Sequence, residues 1–310
     1  MARDPAQRLA LLPAEKRRLA ERLLSGRAMP PAPAARAETA FDPEALQAFE
    51  SSATRTKAGT RQFYNAINEQ LDGTIFGEHA AFLNYGYVAD DSPQHAQVEL
   101  PAHVVNRTSV KLVLELIGDC ELTGRRVLDV GCGRGGTLLV VDQYFSASSK
   151  IGVDLSSAAI AYCRRAYRGR SLHFVEADAE RLPFATGSHD IVTNLESSHS
   201  YPDVLAFYRE VHRVLRPGGR FLYSDVFAPS VFAAHLDTLG RIGFTLEHER
   251  YITANVVRSC LETASRRSAV FDATPERDVI AEFLSAPGSG VFEEMRSGRA
   301  SYRILRLTRP

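Results

Sequence analysis

Short apolar runs alternate with longer amphipathic stretches along most of this chain. RVLDVG (126–131), KIGVDL (150–155), LHFVEA (172–177), DIVTNL (190–195) and RFLYSDVF (220–227) have the length and composition of core strands. Helix-like patterns fill residues 135–145, 156–167 and 203–214 between them. The third runs into RPGG (216–219), a breaker cluster that predicts a helix stop and a turn. GFTLEHERYIT (243–253) reads as a sixth strand, and residues 254–271 and 276–284 as helices after it. Alternation of this kind predicts an α/β fold whose parallel sheet is covered on both faces. Such sheets take ligands beyond the carboxyl ends of their strands. The strand-end residues therefore matter most: Gly131, Asp154, Asp178, Glu196 and Asp225.

Upstream the pattern changes. Residues 1–27 contain LALLPAEKRRLAERLLSGR, in which Leu12, Leu19 and Leu23 lie near one helical face and Pro13 is tolerable in a first turn. Residues 28–40 are Pro/Ala-rich without apolar periodicity and read as a semi-rigid linker. From residue 41 to 310 the pattern is that of one compact domain without internal repeats. The chain has 310 residues, is 45% hydrophobic and 24% charged, and is formally neutral, which suits one large domain with a small appendage. Neutrality gives no electrostatic case for nucleic acid or an anionic membrane. No apolar run is long enough to span a bilayer, and the first thirty residues lack a secretory core. Cys120, Cys132, Cys163 and Cys260 show no metal-binding spacing, so a disulfide framework is not expected and the chain reads as cytoplasmic.

VLDVGCGRGG (127–136) joins the first strand to a helix, and Gly131 and Gly133 permit a tight turn with close backbone approach to a ligand. Gly131-x-Gly133-x-x-Gly136 also satisfies the dinucleotide spacing, so glycine spacing alone leaves both ligand types open. The acids point one way. Asp129 lies inside the motif and suits a ligand carrying positive charge rather than a pyrophosphate. Asp154 ends the second strand, where an acid hydrogen-bonds ribose hydroxyls. Asp178, in EADAERLPF (176–184), is placed to meet an adenine amino group.

VLDVGCGRGG, GVDLS, EADAERLPF and HRVLRPGGRFLYSD, in that order and spacing, resemble the class I S-adenosylmethionine-dependent methyltransferases over roughly residues 60–310. The final stretch GVFEEMRSGRASYRILRLTR (290–309) is similar to that family's closing helix and strand. The resemblance implies a Rossmann-like seven-stranded sheet, last strand antiparallel, with helices on both faces and an N-terminal helical extension. It implies S-adenosyl-L-methionine as cofactor. Gly131 and Gly133 would line its methionine part, Asp154 its ribose, and Asp178 with Ala179 its adenine. Asp129, Cys132, Leu155, Asn194, Leu195 and Glu196 complete the implied cofactor shell.

TNLESSHSYPD (193–203) then acquires a meaning, because its carboxylate and imidazole fall at the end of the fourth strand. A hydroxyl acceptor must lose a proton as it takes a methyl group, and a neutral histidine is matched to that task. Asp225, ending the neighbouring fifth strand, is the expected partner that fixes the ring of His199. ESSHSYPD with HRVLRPGG and YSDVF resembles two narrower groups: O-methyltransferases of natural-product sugars and phthiotriol-type methyltransferases of polyketide lipids. That resemblance implies His199 as catalytic base, Asp225 as its partner and Glu196 beside the cofactor. No metal is expected, for no carboxylate cluster supports one. The expected activity is O-methylation in specialised metabolism, of a polyketide, peptide or glycosylated product. C- or N-methylation and a non-catalytic docking module are the alternatives.

RQFYNAINEQLD (61–72) and AFLNYGYV (81–88) bring Tyr64, Tyr85 and Tyr87 close together before the first strand. Resemblance makes residues 60–100 a lid over the cofactor, with Tyr64 and Tyr85 near the sulfonium; ordinary core packing is the other reading. Arg107 either reaches the cofactor carboxylate or sits on a solvated helix face. Residues 227–285 are the expected acceptor-binding insertions, with His235, His248 and Tyr251 as candidates. Residues 1–27 carry seven Arg/Lys against three Asp/Glu and resemble short helical segments of polyketide and nonribosomal peptide synthases. They would dock an acidic carrier protein holding the acceptor, or pack on the domain, on a second copy or on a membrane surface.

Overall fold

The computed structural model describes residues 56–72, 80–89, 100, 104, 106–271 and 283–310. The N-terminal segment 1–27, the linker 28–40, the first residues of the 41–310 domain and most of the predicted helix 276–284 lie outside the described residues. Seven strands form one sheet: β1 (Arg126–Val130), β2 (Ser149–Asp154), β3 (His173–Glu176), β4 (His189–Leu195), β5 (Leu215–Phe227), β6 (Thr245–Tyr251) and β7 (Ser301–Thr308). Their order is β3-β2-β1-β4-β5-β7-β6, and β7 runs antiparallel to both its neighbours. The order reverses at β1, so the crevice between β1 and β4 is the topological switch point.

Helices α1 (Lys57–Asp72), α2 (Arg107–Ile117), α3 (Gly136–Tyr144), α4 (Ser157–Ala166), α5 (Val204–Val214), α6 (Pro229–Ile242), α7 (Thr253–Phe271) and α8 (Gly290–Arg296) complete the described fold. The strands alternate between two cores, as a period of two requires. Val127, Ile191, Leu222 and Ile304 point into one apolar cluster, shared with Leu112, Leu116 and Val141 of α2 and α3. Leu128, Val192, Phe221, Tyr223 and Leu305 point into the other, shared with Phe207 and Val211 of α5 and Phe232 and Leu239 of α6.

Two boundaries differ from the sequence pattern. Helix α5 stops where predicted, but RPGG does not form a separate turn. Strand β5 already begins at Leu215, and its pairing with β4 jumps from His189↔Leu215 to Ile191↔Arg220, so residues 216–219 bulge out of the ladder. Gly218 takes φ 74°, and the bulge is tied down by Gly218 N–H to Arg309 O (2.7 Å) and Arg309 N–H to Gly219 O (2.9 Å). The sixth strand starts later than predicted because Gly243, at φ 114°, is the left-handed cap of α6.

Candidate active site

A cavity of about 450 Å³ opens at the carboxyl ends of β1 to β4. Its floor is the glycine-rich turn. Gly131 and Gly133 have φ of 69° and 49°, conformations that favour glycine, and a Cβ on Gly131 would sit 1.9 Å from Ser197 Oγ. On Gly133 the same position is 3.7 Å from its nearest neighbour, so this part of the turn borders open space. Asp154 is held by backbone: the Gly133 N–H donates to Oδ2 and the Ser156 N–H to Oδ1, each at 2.8 Å. Burial raises its pKa above the usual carboxylate value.

Asp178 and Ala179 line the same cavity with Leu155 and Cys132. Lys57 of α1 donates to Asp178 Oδ2 at 2.6 Å and lies 2.7 Å from Glu180. Asn65, also on α1, accepts from Ser156 Oγ and from the N–H of Ala158 at the start of α4. Tyr64 OH pairs with Ser200 Oγ at 2.7 Å. Helix α1 thus lies across the ends of β2, β3 and β4.

On the opposite wall, His199 stands on a short 3-10 turn (Ser198–Ser200) after β4. Its Nδ1 is 2.7 Å from Asp225 Oδ1. Asp225 is fully buried; burial pushes its pKa up, but His199 and the Ser198 hydroxyl outweigh that and hold it below its ordinary value. A carboxylate accepts, so Nδ1 carries the hydrogen and Nε2 of the neutral ring carries the lone pair. Glu196 takes the left-handed φ of 49° and turns its carboxylate to the N–H of Tyr85 (3.0 Å) and the hydroxyl of Tyr302. Burial lifts its pKa to about 7.

Comparison with known proteins gives the family. The methyltransferase domain family matches residues 128–223. A fatty-acid O-methyltransferase of Mycolicibacterium smegmatis is 34% identical over 236 residues, covering 75% of this chain and 85% of the relative. The chain belongs to the class I S-adenosylmethionine-dependent methyltransferases. A phthiotriol/phenolphthiotriol dimycocerosates methyltransferase of Mycobacterium tuberculosis is 32% identical over 235 residues, covering 75% of this methyltransferase and 86% of the relative. Among solved structures, the [4+2]-cyclase SpnF superposes with a TM-score of 0.64 at 20% identity, covering 84% of this chain and 98% of that one, a likeness of fold.

The cavity suits the methyltransferase's cofactor, S-adenosyl-L-methionine. Asp154, Asp178, Glu180, Glu196 and Glu294 line it against Lys57 and Arg134, an acidic excess that fits a ligand carrying a sulfonium and an ammonium group. Tyr64, Tyr85 and Leu195 are also in its wall, whereas Tyr87 is buried in the core. Two residues of the expected shell lie beneath the cavity rather than in it. Asp129 is covered by the turn and accepts from Thr193 Oγ1 at 2.6 Å, and burial raises its pKa to about 7. Asn194 donates to Val130 O at 2.8 Å and so clamps β4 to the end of β1.

Arg107 is exposed at the start of α2 and does not line the cavity. Neither do His235, His248 and Tyr251; of the expected insertions, Phe283 alone among the described residues reaches it. Sequence reasoning missed Arg134. Its guanidinium is buried, lies 3.4 Å from the centre of the Tyr162 ring and bonds Asp72 of α1 at 2.8 Å. Glycine-flanked, it carried no periodic signal. Gly290, Val291 and Glu294 of α8 were missed too, because that helix reads only as the lead into β7. Among the described residues, no three His, Cys, Asp or Glu side chains converge as a metal site, and no helix is long and apolar enough to cross a membrane.

Proposed function

We propose that this methyltransferase methylates a hydroxyl group on an apolar, lipid-like or polyketide-derived acceptor, with His199 as general base. The observation that carries the reading is the 2.7 Å contact between His199 Nδ1 and buried Asp225, with the ring in the cavity wall. S-adenosyl-L-methionine supplies the methyl group from its sulfonium. His199 Nε2 takes the proton of the acceptor hydroxyl; Asp225 holds the ring in the required tautomer and stabilises the imidazolium. Glu196, through Tyr85, fastens the segment 80–89 over the cofactor region and excludes water. Phe63, Leu83, Phe283 and Val291 give the cavity an apolar wall that suits such an acceptor. The names of the two mycobacterial relatives support an acceptor of this class.

The test has two parts. Calorimetric titration of S-adenosylmethionine and its demethylated product should show micromolar binding that Asp154→Ala weakens; no binding to folded protein would favour the docking-module alternative. His199→Ala should then lower turnover of a hydroxyl acceptor by about 10²–10⁴; a change under about tenfold rejects the base. A second reading follows the fatty-acid relative: a carboxyl acceptor is already ionised at neutral pH and needs no base. Turnover of a fatty acid that survives His199→Ala would select it. C- and N-methylation are separated from both by mass spectrometry of the product. The carrier-protein contact assigned to residues 1–27 belongs to the proposal as well. Deleting residues 1–40 should raise KM for a carrier-bound acceptor and leave that for a free one unchanged.

A further inference from the structure

Behind the His199–Asp225 pair, four polar side chains run into the apolar core between β5, α5 and α6. Both oxygens of Asp225 are filled. Oδ1 accepts from His199 Nδ1 (2.7 Å) and the Val226 N–H (2.8 Å); Oδ2 accepts from the Ser198 hydroxyl (2.6 Å) and the His199 backbone N–H (3.1 Å). A carboxylate offers about four lone-pair sites, and here each meets a donor, so Asp225 only accepts.

That fixes the direction of every bond behind it. Ser198 has one hydroxyl hydrogen and gives it to Asp225. Tyr223 OH, 2.6 Å from Ser198 Oγ, must therefore donate to it. Tyr208 OH, 3.0 Å from Tyr223 OH, must donate in turn. The Tyr208 oxygen is then the acceptor for His235 Nδ1 at 3.1 Å, so that nitrogen carries the hydrogen.

Tyr208, Tyr223 and Asp225 are wholly buried, and Ser198 nearly so. Phenylalanine would fill the two tyrosine positions among Phe207, Phe221 and Phe232 without a hydroxyl that needs a partner. Packing does not account for these hydroxyls, whereas an unbroken donor chain aimed at one carboxylate does. Successive hydrogen bonds of this kind polarise one another.

We infer that His235, Tyr208, Tyr223 and Ser198 form a one-way hydrogen-bond chain that positions Asp225 and sets the proton affinity of His199. They are positioning residues, for none of them lines the cavity. The inference rests on the reading of His199 as the base. The Ser198 hydroxyl shares the carboxylate's charge with His199. Without it, Asp225 pulls harder on the ring and favours the imidazolium, so His199 gives up its proton at higher pH. Among the described residues, Glu196, Tyr85, Tyr201, Tyr302 and His235 also couple to Asp225, and Arg303 stands opposite it on β7. Burial raises the pKa of Glu196 to about 7 and lowers that of His235.

Nitrogen NMR of the full-length chain, with labelled histidine and across pH, tests this without an acceptor. In the wild type, neutral His235 should be the Nδ1–H tautomer. The His199 midpoint should rise in Ser198→Ala, rise less in Tyr223→Phe and least in Tyr208→Phe, with the same order in a Glu196→Gln background. An Nε2–H tautomer of His235 overturns the chain, because Tyr208 would then donate outward and leave either its contact with Tyr223 or that of Tyr223 with Ser198 without a hydrogen. A His199 midpoint unmoved by both Ser198→Ala and Tyr223→Phe overturns it too. If Ser198→Ala does not fold, the two Phe variants, which keep the rings, and the wild-type tautomer decide the matter. Failure of the base reading looks different: His199→Ala keeps its turnover while the His235 tautomer stays as stated.

Discussion

The two halves of the cavity hold their carboxylates with different mixtures of donors. On the side of β1 to β3, Asp154 is fixed by backbone N–H groups of Gly133 and Ser156, and Asp178 Oδ1 by that of Glu180. These backbone partners lie within a turn of the acid or in the glycine-rich loop beside it; Asp178 Oδ2 also accepts from the distant Lys57 side chain. On the side of β4 and β5, the acids are fixed by distant parts of the chain. Asp225 takes the side chains of His199 and Ser198, 26 and 27 residues away, besides the N–H groups of His199 and Val226, and Glu196 takes the Tyr302 hydroxyl and the Tyr85 backbone N–H, 106 and 111 residues away. Backbone donors come with the fold and tolerate drift in the surrounding side chains. Side-chain donors must be specified one by one, and they give control over where a proton sits. Under the proposed function, the first kind serves a constant cofactor and the second a proton transfer.

The largest expected effect that separates the halves is a crossed pair of variants. His199→Ala should cut turnover by about 10²–10⁴ and leave cofactor affinity within about twofold. Asp154→Ala should weaken cofactor binding by about tenfold or more, as loss of a hydrogen bond to a charged group implies. Calorimetry and single-turnover rates read the two axes, and loss of cofactor binding in His199→Ala would erase the distinction.

Gly131→Ala comes next. It places a methyl group against Ser197 at a left-handed φ and should cost about 1–3 kcal/mol of stability, seen as a lower melting temperature together with weakened cofactor binding.

Per pH unit, a smaller effect comes from the buried acid under the turn. Asp129 keeps its proton in the folded chain up to about pH 7, while an ordinary aspartate releases it near 3.8. Between those values the folded state holds more protons than the unfolded one, so stability falls as pH rises through that window. Asp129→Asn should flatten the fall by about 1 kcal/mol per pH unit, measured by urea unfolding at several pH values. Lys57→Ala should do least. Its ammonium is half-exposed above Asp178 and Glu180, and such a pair contributes under about 1 kcal/mol, so a large loss of cofactor affinity would mean that α1 closes through it.

Legibility followed the same division. Strands β1 to β5 and helices α3 to α5 were readable because each is a local periodic run, and the glycine turn with Asp154 and Asp178 because the spacing is local as well. His199 and Asp225 were readable as strand ends, though their contact rests on the pairing of β4 with β5. Arg134, the α8 wall and the hydroxyls behind Asp225 left no trace, since each depends on which helix crosses which strand. Asp129 and Asn194 belong to the right motif and strand end, but pleat and turn put them under the floor. RPGG was misjudged at one edge: its breakers stop α5, yet a bulge tied to Arg309 absorbs them inside β5.

The position of β7 has a consequence during synthesis. It lies between β5 and β6, and among the described residues β6 pairs with no other strand. While the ribosome is still making residues 252–300, β6 has no partner and β5 keeps an open edge, the kind of surface that invites association with other chains. The Tyr302 hydroxyl that holds Glu196 arrives with the same strand. Sheet closure and completion of the site are therefore one event, and a nascent chain short of β7 presents an aggregation-prone edge before it has a finished active site.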